Sequence, residues 1–215
     1  MTKINDYQNI KVGIELKDSL DEFYLEPCPF KTFEKWYAMA EKSEANVDAM
    51  SVATVDLLGV PRNRFLLFKG LMNSHFVFYT NYLSQKAQDL DQNPNVSLNF
   101  FWSTVKFQVR ITGTAHRSSR EFSRDYFRSR DRDSQLASAL SRQSAPISSR
   151  KELMEKLGEL KLLLSNKDVE CPEHWGGYLL APTEFEFFIY GDHRINDRFL
   201  FKKNESNWSL QRLQP

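Results

Sequence analysis

Between residues 30 and 40 the apolar side chains Phe30, Phe33, Trp36, Tyr37 and Ala40 recur three or four positions apart. That is the stripe of an amphipathic helix turning one face to a core. From Met50 to Thr114 the period shortens. The stretch "AMSVATVDLLGVPRNRFLLFKG" predicts two strands around a turn at Gly59 to Pro61, and "HFVFYT", "NVSLNFFW" and "KFQVRITGTAH" predict three more. Residues 119–165 return to helical patterning in "SREFSRDYFRSR", "DSQLASALSRQ" and "SSRKELMEKLGELKLLLSN". After Pro172, strands follow in "HWGGYLLAPTEFEFFIYG", "NDRFLFKK" and "NWSLQRL". These late strands are too few to close a core of their own, so the helices interrupt one domain, 26–215. Its class is mainly β with helices (α+β), an antiparallel barrel or sandwich. Residues 1–25 are polar and without a clear period, which predicts a mobile N-terminal arm.

Composition sharpens the picture in two places. With 41% hydrophobic and 13% aromatic residues, the 215-residue chain can bury a full core. Its 29 basic and 28 acidic side chains nearly cancel, so no global field draws it to nucleic acid or to an anionic membrane, and any anion site must be local. Cys28 and Cys171 show no CxxC spacing, no apolar run approaches the roughly 20 residues needed to span a bilayer, and the charged start lacks a signal peptide's apolar middle. The expectation is a cytoplasmic protein. His75, His116, His174 and His193 lack HxxxH or HExxH spacing, so no metal site is expected. The Gly176–Gly177 pair predicts a bulge or close strand packing.

Candidate chemistry lies with the cations and hydroxyls. Arg64 and Lys69 bracket an apolar strand, while Thr80, Ser84 and Lys86 crowd a strand-to-helix turn. Such a turn suits a phosphate, although Ser84 alone also reads as a simple helix cap. Tyr126, Arg130 and Ser134 stand four apart and would share one face of a continuous helix. Arg194, Asn196 and Arg198 occupy every second position, and would leave the same face of a strand. Two guanidiniums placed so repel unless an anion sits between them or acids neutralise them. The Ser/Arg-rich stretch 117–150 holds eight arginines against four acids and includes Phe122, Tyr126 and Phe127, which leaves RNA binding as a rival reading.

Taken in order, "RFLLFKG", "YTNYLSQKAQDLDQNPNVSLNFFW", "FQVRITG", "YFRSRDRDSQLASALSRQS", "HWGGYLLAP", "RINDR" and the closing "WSLQRLQP" resemble the pyridoxine (pyridoxamine) 5'-phosphate oxidase family. The resemblance runs from about Phe30 to Pro215. It implies an FMN-binding split barrel, a homodimer with sites built from two chains, and oxygen-dependent oxidation of pyridoxamine or pyridoxine 5'-phosphate to pyridoxal 5'-phosphate, releasing hydrogen peroxide. It implies FMN contacts at Arg64, Phe65, Leu66, Leu67, Tyr79, Thr80, Gln85, Lys86, Gln108, Gln143, Ser144, Phe188 and Arg198. For the substrate it implies Lys69, Tyr126, Arg130 and Ser134, with Arg194 and Asn196 at the reacting ring. Four positions depart from the family pattern: Gln85 and Phe107 replace arginines, Phe188 a tryptophan, and Asn196 a histidine. These raise an alternative, a divergent paralogue that binds FMN or pyridoxal phosphate with little turnover.

Overall fold

A computed structural model describes residues 24–205 and 207–215. Helix α1 (Pro29–Ala40) opens on a proline, which fits the first helical position because its missing N–H has no intrahelical partner there. Phe30, Phe33, Trp36 and Ala40 of the expected stripe are buried. Strands β1 (Ala49–Val55), β2 (Pro61–Leu67), β3 (Leu71–Met72) and β4 (His75–Asn81) come next. Helix α2 (Gln85–Gln92) leads to β5 (Asn95–Trp102) and β6 (Phe107–Arg117). Then come α3 (Arg120–Arg128), α4 (Arg132–Leu140), α5 (Arg150–Leu163), β7 (Trp175–Ile189), β8 (Asp197–Asn204) and β9 (Asn207–Leu213).

The strands form one antiparallel sheet in the order β2-β1-β5-β6-β7-β4-β3, with β8 pairing β7 and β9 pairing β8. Strand β7 is its axis. One edge follows β6 from Tyr178 to Ile189, while the other pairs with β4 up to Leu180 and with β8 from Glu184 onward. The sheet therefore splits into two flaps about the middle of β7. Opposite that point β6 carries a bulge at Thr112/Gly113, where a Cβ on Gly113 would stand 2.1 Å from the Ala181 carbonyl oxygen.

The inner face holds an aromatic core. Phe33 of α1 lies 4.9 Å from Phe76 and 5.2 Å from Phe100 between ring centroids, and Trp36 stacks on Phe107 at 4.2 Å. The two most deeply buried indoles donate to backbone carbonyls, Trp36 to Tyr24 and Trp102 to Val47, so the core buries them without an unpaired N–H. A smaller cluster of Phe127, Leu136, Val169 and Trp175 seats α3 and α4 on the start of β7. There the glycine pair allows close packing, as expected: a Cβ on Gly176 would meet the Tyr82 hydroxyl at 2.1 Å, and one on Gly177 would meet Ser118 Oγ at 2.8 Å.

Two expectations need correction. The helical run through Tyr126, Arg130 and Ser134 is broken, because α3 stops at Arg128 and α4 restarts after Asp131. Gln135 Nε2 donates to the carbonyls of Phe127 and Arg130, and Asp131 caps α4 by accepting from Ser134 N, so the break satisfies its own backbone groups. Residues 191–196 are not strand: Asp192–Arg194 form a 3-10 turn in which His193 and Arg194 adopt positive φ (56° and 64°), and β8 begins only at Asp197. The two-residue β3 was not foreseen. The expected arm, 1–25, lies outside the described residues except for Tyr24 and Leu25, and Leu25 is buried. Among the described residues no helix is long and apolar enough to cross a membrane.

Candidate functional site

The turn from β4 into α2 forms a cradle of donors and hydroxyls. Ser84 is the N-cap residue of α2, yet its side chain makes no cap hydrogen bond. Its Oγ instead accepts from Lys86 Nζ at 3.1 Å, and the same ammonium donates to Thr80 Oγ1 (3.0 Å) and Gln143 Oε1 (2.8 Å). All three acceptors are uncharged. Burial, helped by the neighbouring positive charge of Arg64, draws the Lys86 ammonium down to about 8. A buried lysine surrounded by neutral oxygens at a helix N-terminus is matched to an anion. Gln85 N completes the turn by donating to Ser144 Oγ at 3.3 Å.

Beside the cradle stands Arg64, on the inward-facing side of β2. Its guanidinium donates to Val52 O (3.0 Å) and to Thr54 Oγ1 (2.8 Å). The neighbours of Arg64 divide: Leu66 packs toward the core, whereas Phe65 and Leu67 point out and are 78% and 51% exposed.

Across β4, Tyr79 stacks on Tyr126 with centroids 3.9 Å apart and on Trp175 at 5.3 Å. Burial pushes the Tyr79 phenol well above its ordinary range, so it stays a neutral donor. Arg130 lies 4.8 Å over the Trp175 ring and donates to Ser138 Oγ at 2.8 Å. Ser134, in the first turn of α4, follows the loop that holds Arg130, and its N–H donates to Asp131 Oδ1 at 2.8 Å. Lys69 stands apart, ion-paired to Asp48 at 3.1 Å, at the rim of a cavity of about 700 Å³ whose walls include Phe33, Tyr37 and Phe68.

A third group lies on the outer face of the sheet. The register aligns Phe101, Gln108, Phe188 and Arg198 across four strands, and aligns Asn99, Arg110 and Glu186 in the row beside them. Gln108 donates to Asn99 Oδ1 (2.7 Å) and accepts from the Tyr190 hydroxyl (3.1 Å). Glu186 Oε1 takes Arg198 at 2.7 Å and Arg110 at 2.5 Å. The acid that neutralises Arg198 is therefore Glu186, and Arg194 is not its neighbour on a strand but an exposed residue of the 3-10 turn. Asn196 closes that turn by accepting from Gly191 N at 3.2 Å.

One chain thus gathers the expected residues into three separate groups: Arg64, Thr80, Gln85, Lys86, Gln143 and Ser144; Tyr79, Tyr126, Arg130 and Ser134; and Gln108, Phe188 and Arg198. It leaves Lys69 apart, places Arg194 and Asn196 together at the 3-10 turn, and strings Phe65, Leu66 and Leu67 along β2 after Arg64. Missed by sequence reasoning were Arg62, Asp89, Trp175 and Glu186. The alternation in "TEFEFFIY" already puts Glu186 on the face opposite the buried Phe185 and Phe187, so that residue was findable. Phe107, which replaces a family arginine, is a core residue stacked on Trp36. In the Ser/Arg-rich stretch, Arg117 pairs with Asp91, Arg120 and Arg124 with Glu173, Arg128 with Asp125, and Arg132 with backbone carbonyls. Phe127 is buried.

The family described as pyridoxamine 5'-phosphate oxidase matches residues 40–160, and the pyridoxine 5'-phosphate oxidase C-terminal dimerisation region matches residues 175–215. A pyridoxine/pyridoxamine 5'-phosphate oxidase of Pseudoalteromonas atlantica is 46% identical over 200 residues, covering 91% of this chain and 93% of its own. One from Hahella chejuensis is 40% identical over 217 residues, covering 99% and 100%. Among solved structures, PhzG from Burkholderia lata in complex with tetrahydrophenazine-1-carboxylic acid superposes with a TM-score of 0.85 at 22% identity, over 95% of this chain and 99% of that one. A pyridoxamine 5'-phosphate oxidase-related, FMN binding protein from Nostoc punctiforme gives 0.73 at 19% identity, over 89% and 100%. The fold is the antiparallel split barrel expected from the sequence.

Proposed function

The chain belongs to the pyridoxamine 5'-phosphate oxidase family, and from that premise we propose that it oxidises pyridoxamine or pyridoxine 5'-phosphate to pyridoxal 5'-phosphate with FMN as its cofactor. Oxygen is the final acceptor in this reading, and hydrogen peroxide the second product. The observation that carries it is the Lys86 cradle, a buried ammonium whose hydrogen-bond partners are all uncharged.

The residues present fit the cofactor. A phosphate monoester carries about 1.5 to 2 negative charges near neutral pH, and Lys86 and Arg64, with the Thr80 and Ser84 hydroxyls, answer it with charge and short donors. Gln143, Ser144 and Gln85 close that end. The flavin ring needs an apolar wall and a few edge donors. Phe65, Leu67, Gln108, Phe188 and Arg198 supply both, on the outward face of the sheet. Leu66 and Tyr79 back the strands that carry them. When bound, FMN supplies the acceptor for the two electrons and the hydrogen that leave the substrate's exocyclic carbon. The imine left by the amine substrate is then hydrolysed to the aldehyde.

The chain's own part is positioning. Arg130, fixed over Trp175 and tied to Ser138, presents a guanidinium to the substrate phosphate, with Lys69, Tyr126 and Ser134 as further donors. Tyr126 cannot swing away, since its ring is stacked on Tyr79. Arg194 sits against the substrate ring, and Asn196, its oxygen engaged by Gly191, offers N–H donors without titrating near neutral pH. No side-chain nucleophile is required.

The site is shared between two chains. Phe188, Arg194, Asn196 and Arg198 all lie in the segment matched to a dimerisation region. Exposed Phe65, Leu67 and Phe101 give the same face the apolar surface that a homodimer buries. The free thiols Cys28 and Cys171 fit a reducing compartment, the cytoplasm. The test is to mix purified protein with FMN, remove the excess and release the flavin by heat. About one FMN per chain supports the reading, and none retained overturns it.

A further inference from the structure

Among the described residues, Asp89 is the one fully buried acid beside the phosphate cradle, with its side chain 1% exposed. Thr54 Oγ1 donates to its Oδ2 at 2.7 Å, while Arg62 (3.1 Å) and Gln85 Nε2 (3.0 Å) both donate to its Oδ1. Arg64 NH2 stands farther off, at 4.0 Å from Oδ2. A buried carboxylate here has the wrong sign for a site that must hold a dianion, and left alone it would both repel the phosphate and draw in the nearest cation. That cation is Arg64, because positions 62 and 64 share a face of β2. Gln85, where the family pattern carries an arginine, brings no charge to offset the acid.

Resting on the FMN reading, we propose that Arg62 and Gln85 are positioning residues that hold Asp89 between them, Arg62 also neutralising it, leaving Arg64 and Lys86 their charge for the FMN phosphate. Arg62 thereby takes over, from the strand, the electrostatic role that an arginine at position 85 would fill from the helix. Its second partner, Asp56 at 3.0 Å, fixes the guanidinium from the solvent side.

The test is a titration of flavin-free protein with FMN and, separately, with riboflavin, which lacks the phosphate, each followed by flavin fluorescence. Arg62→Gln should weaken FMN binding roughly tenfold or more, the size of one lost charge-assisted contact, and leave riboflavin binding unchanged. Adding either Asp89→Asn or Gln85→Arg to Arg62→Gln should restore FMN binding, the first by removing the acid and the second by returning a cation beside it. An equal loss for both flavins, no loss, or no rescue by either second substitution overturns the inference alone. A wild-type protein that binds FMN no better than riboflavin overturns the cofactor reading and this inference together.

Discussion

Lys86 Nζ donates to Gln143 Oε1 across 2.8 Å, tying the first turn of α2 to the segment after α4, 57 positions further along. The bond brings a cation and an amide from two distant runs of sequence into one cradle. It also holds an ammonium where water cannot solvate it, at a cost to stability that an anionic ligand would offset.

Replacing Lys86 by Met should therefore stabilise the FMN-free protein while removing its preference for FMN over riboflavin. The ammonium falls from its ordinary 10.5 to about 8 on folding. Below pH 8 it is charged in both states and the burial penalty is fully present. Between about 8 and 10.5 the folded state releases its proton first, so wild-type stability rises with pH. The gain from Lys86→Met should be roughly 3 kcal/mol below pH 8 and shrink toward pH 10.5. Denaturant melts at pH 7 and 10 check this, and a variant less stable than wild type at pH 7 contradicts it.

Arg130→Lys should raise the KM for pyridoxamine 5'-phosphate roughly tenfold or more with a smaller change in kcat, because an ammonium keeps the charge but loses the planar fork seated over Trp175. Steady-state kinetics decide it. An unchanged KM with a fallen kcat would move Arg130 from binding to the reacting centre.

Phe107→Arg, which restores the family residue, should destabilise the chain by about 3 kcal/mol or more, since a guanidinium would be forced against Trp36 in a closed aromatic core. A melting temperature within a degree or two of wild type would show that the site opens to solvent.

Much of this architecture was legible in the sequence because burial follows a simple period. In β1 the pattern alternates strictly, and in α1 the stripe at Phe30, Phe33, Trp36 and Ala40 is the buried face. The breaks were harder to see. A spacing of four runs unbroken through Tyr126, Arg130 and Ser134, yet Asp131 three residues before Ser134 is a capping signal that ends one helix and starts another. At 191–196 the alternation of Arg194, Asn196 and Arg198 mimics a strand, but two successive residues in the left-handed region turn the chain instead. Asp89 was invisible for a different reason. Its burial depends on β2 and β1 folding over α2, a long-range contact that no local pattern records.

Arg64→Ala should strip FMN from the protein, whereas Arg194→Ala, on the exposed turn, should retain FMN and lose turnover. Flavin content after gel filtration, measured beside activity, separates the two. Equal flavin loss in both variants would sink that division of roles.

The most direct test of the central claim is to add pyridoxamine 5'-phosphate in air to the FMN-loaded protein and follow pyridoxal 5'-phosphate and hydrogen peroxide in the same cuvette. The account predicts that both appear together, in equal amounts and over many turnovers. FMN that stays bound while neither product forms would contradict it, and would mark the chain as a binding relative of the oxidases in which Asn196 and Gln85 have ended catalysis.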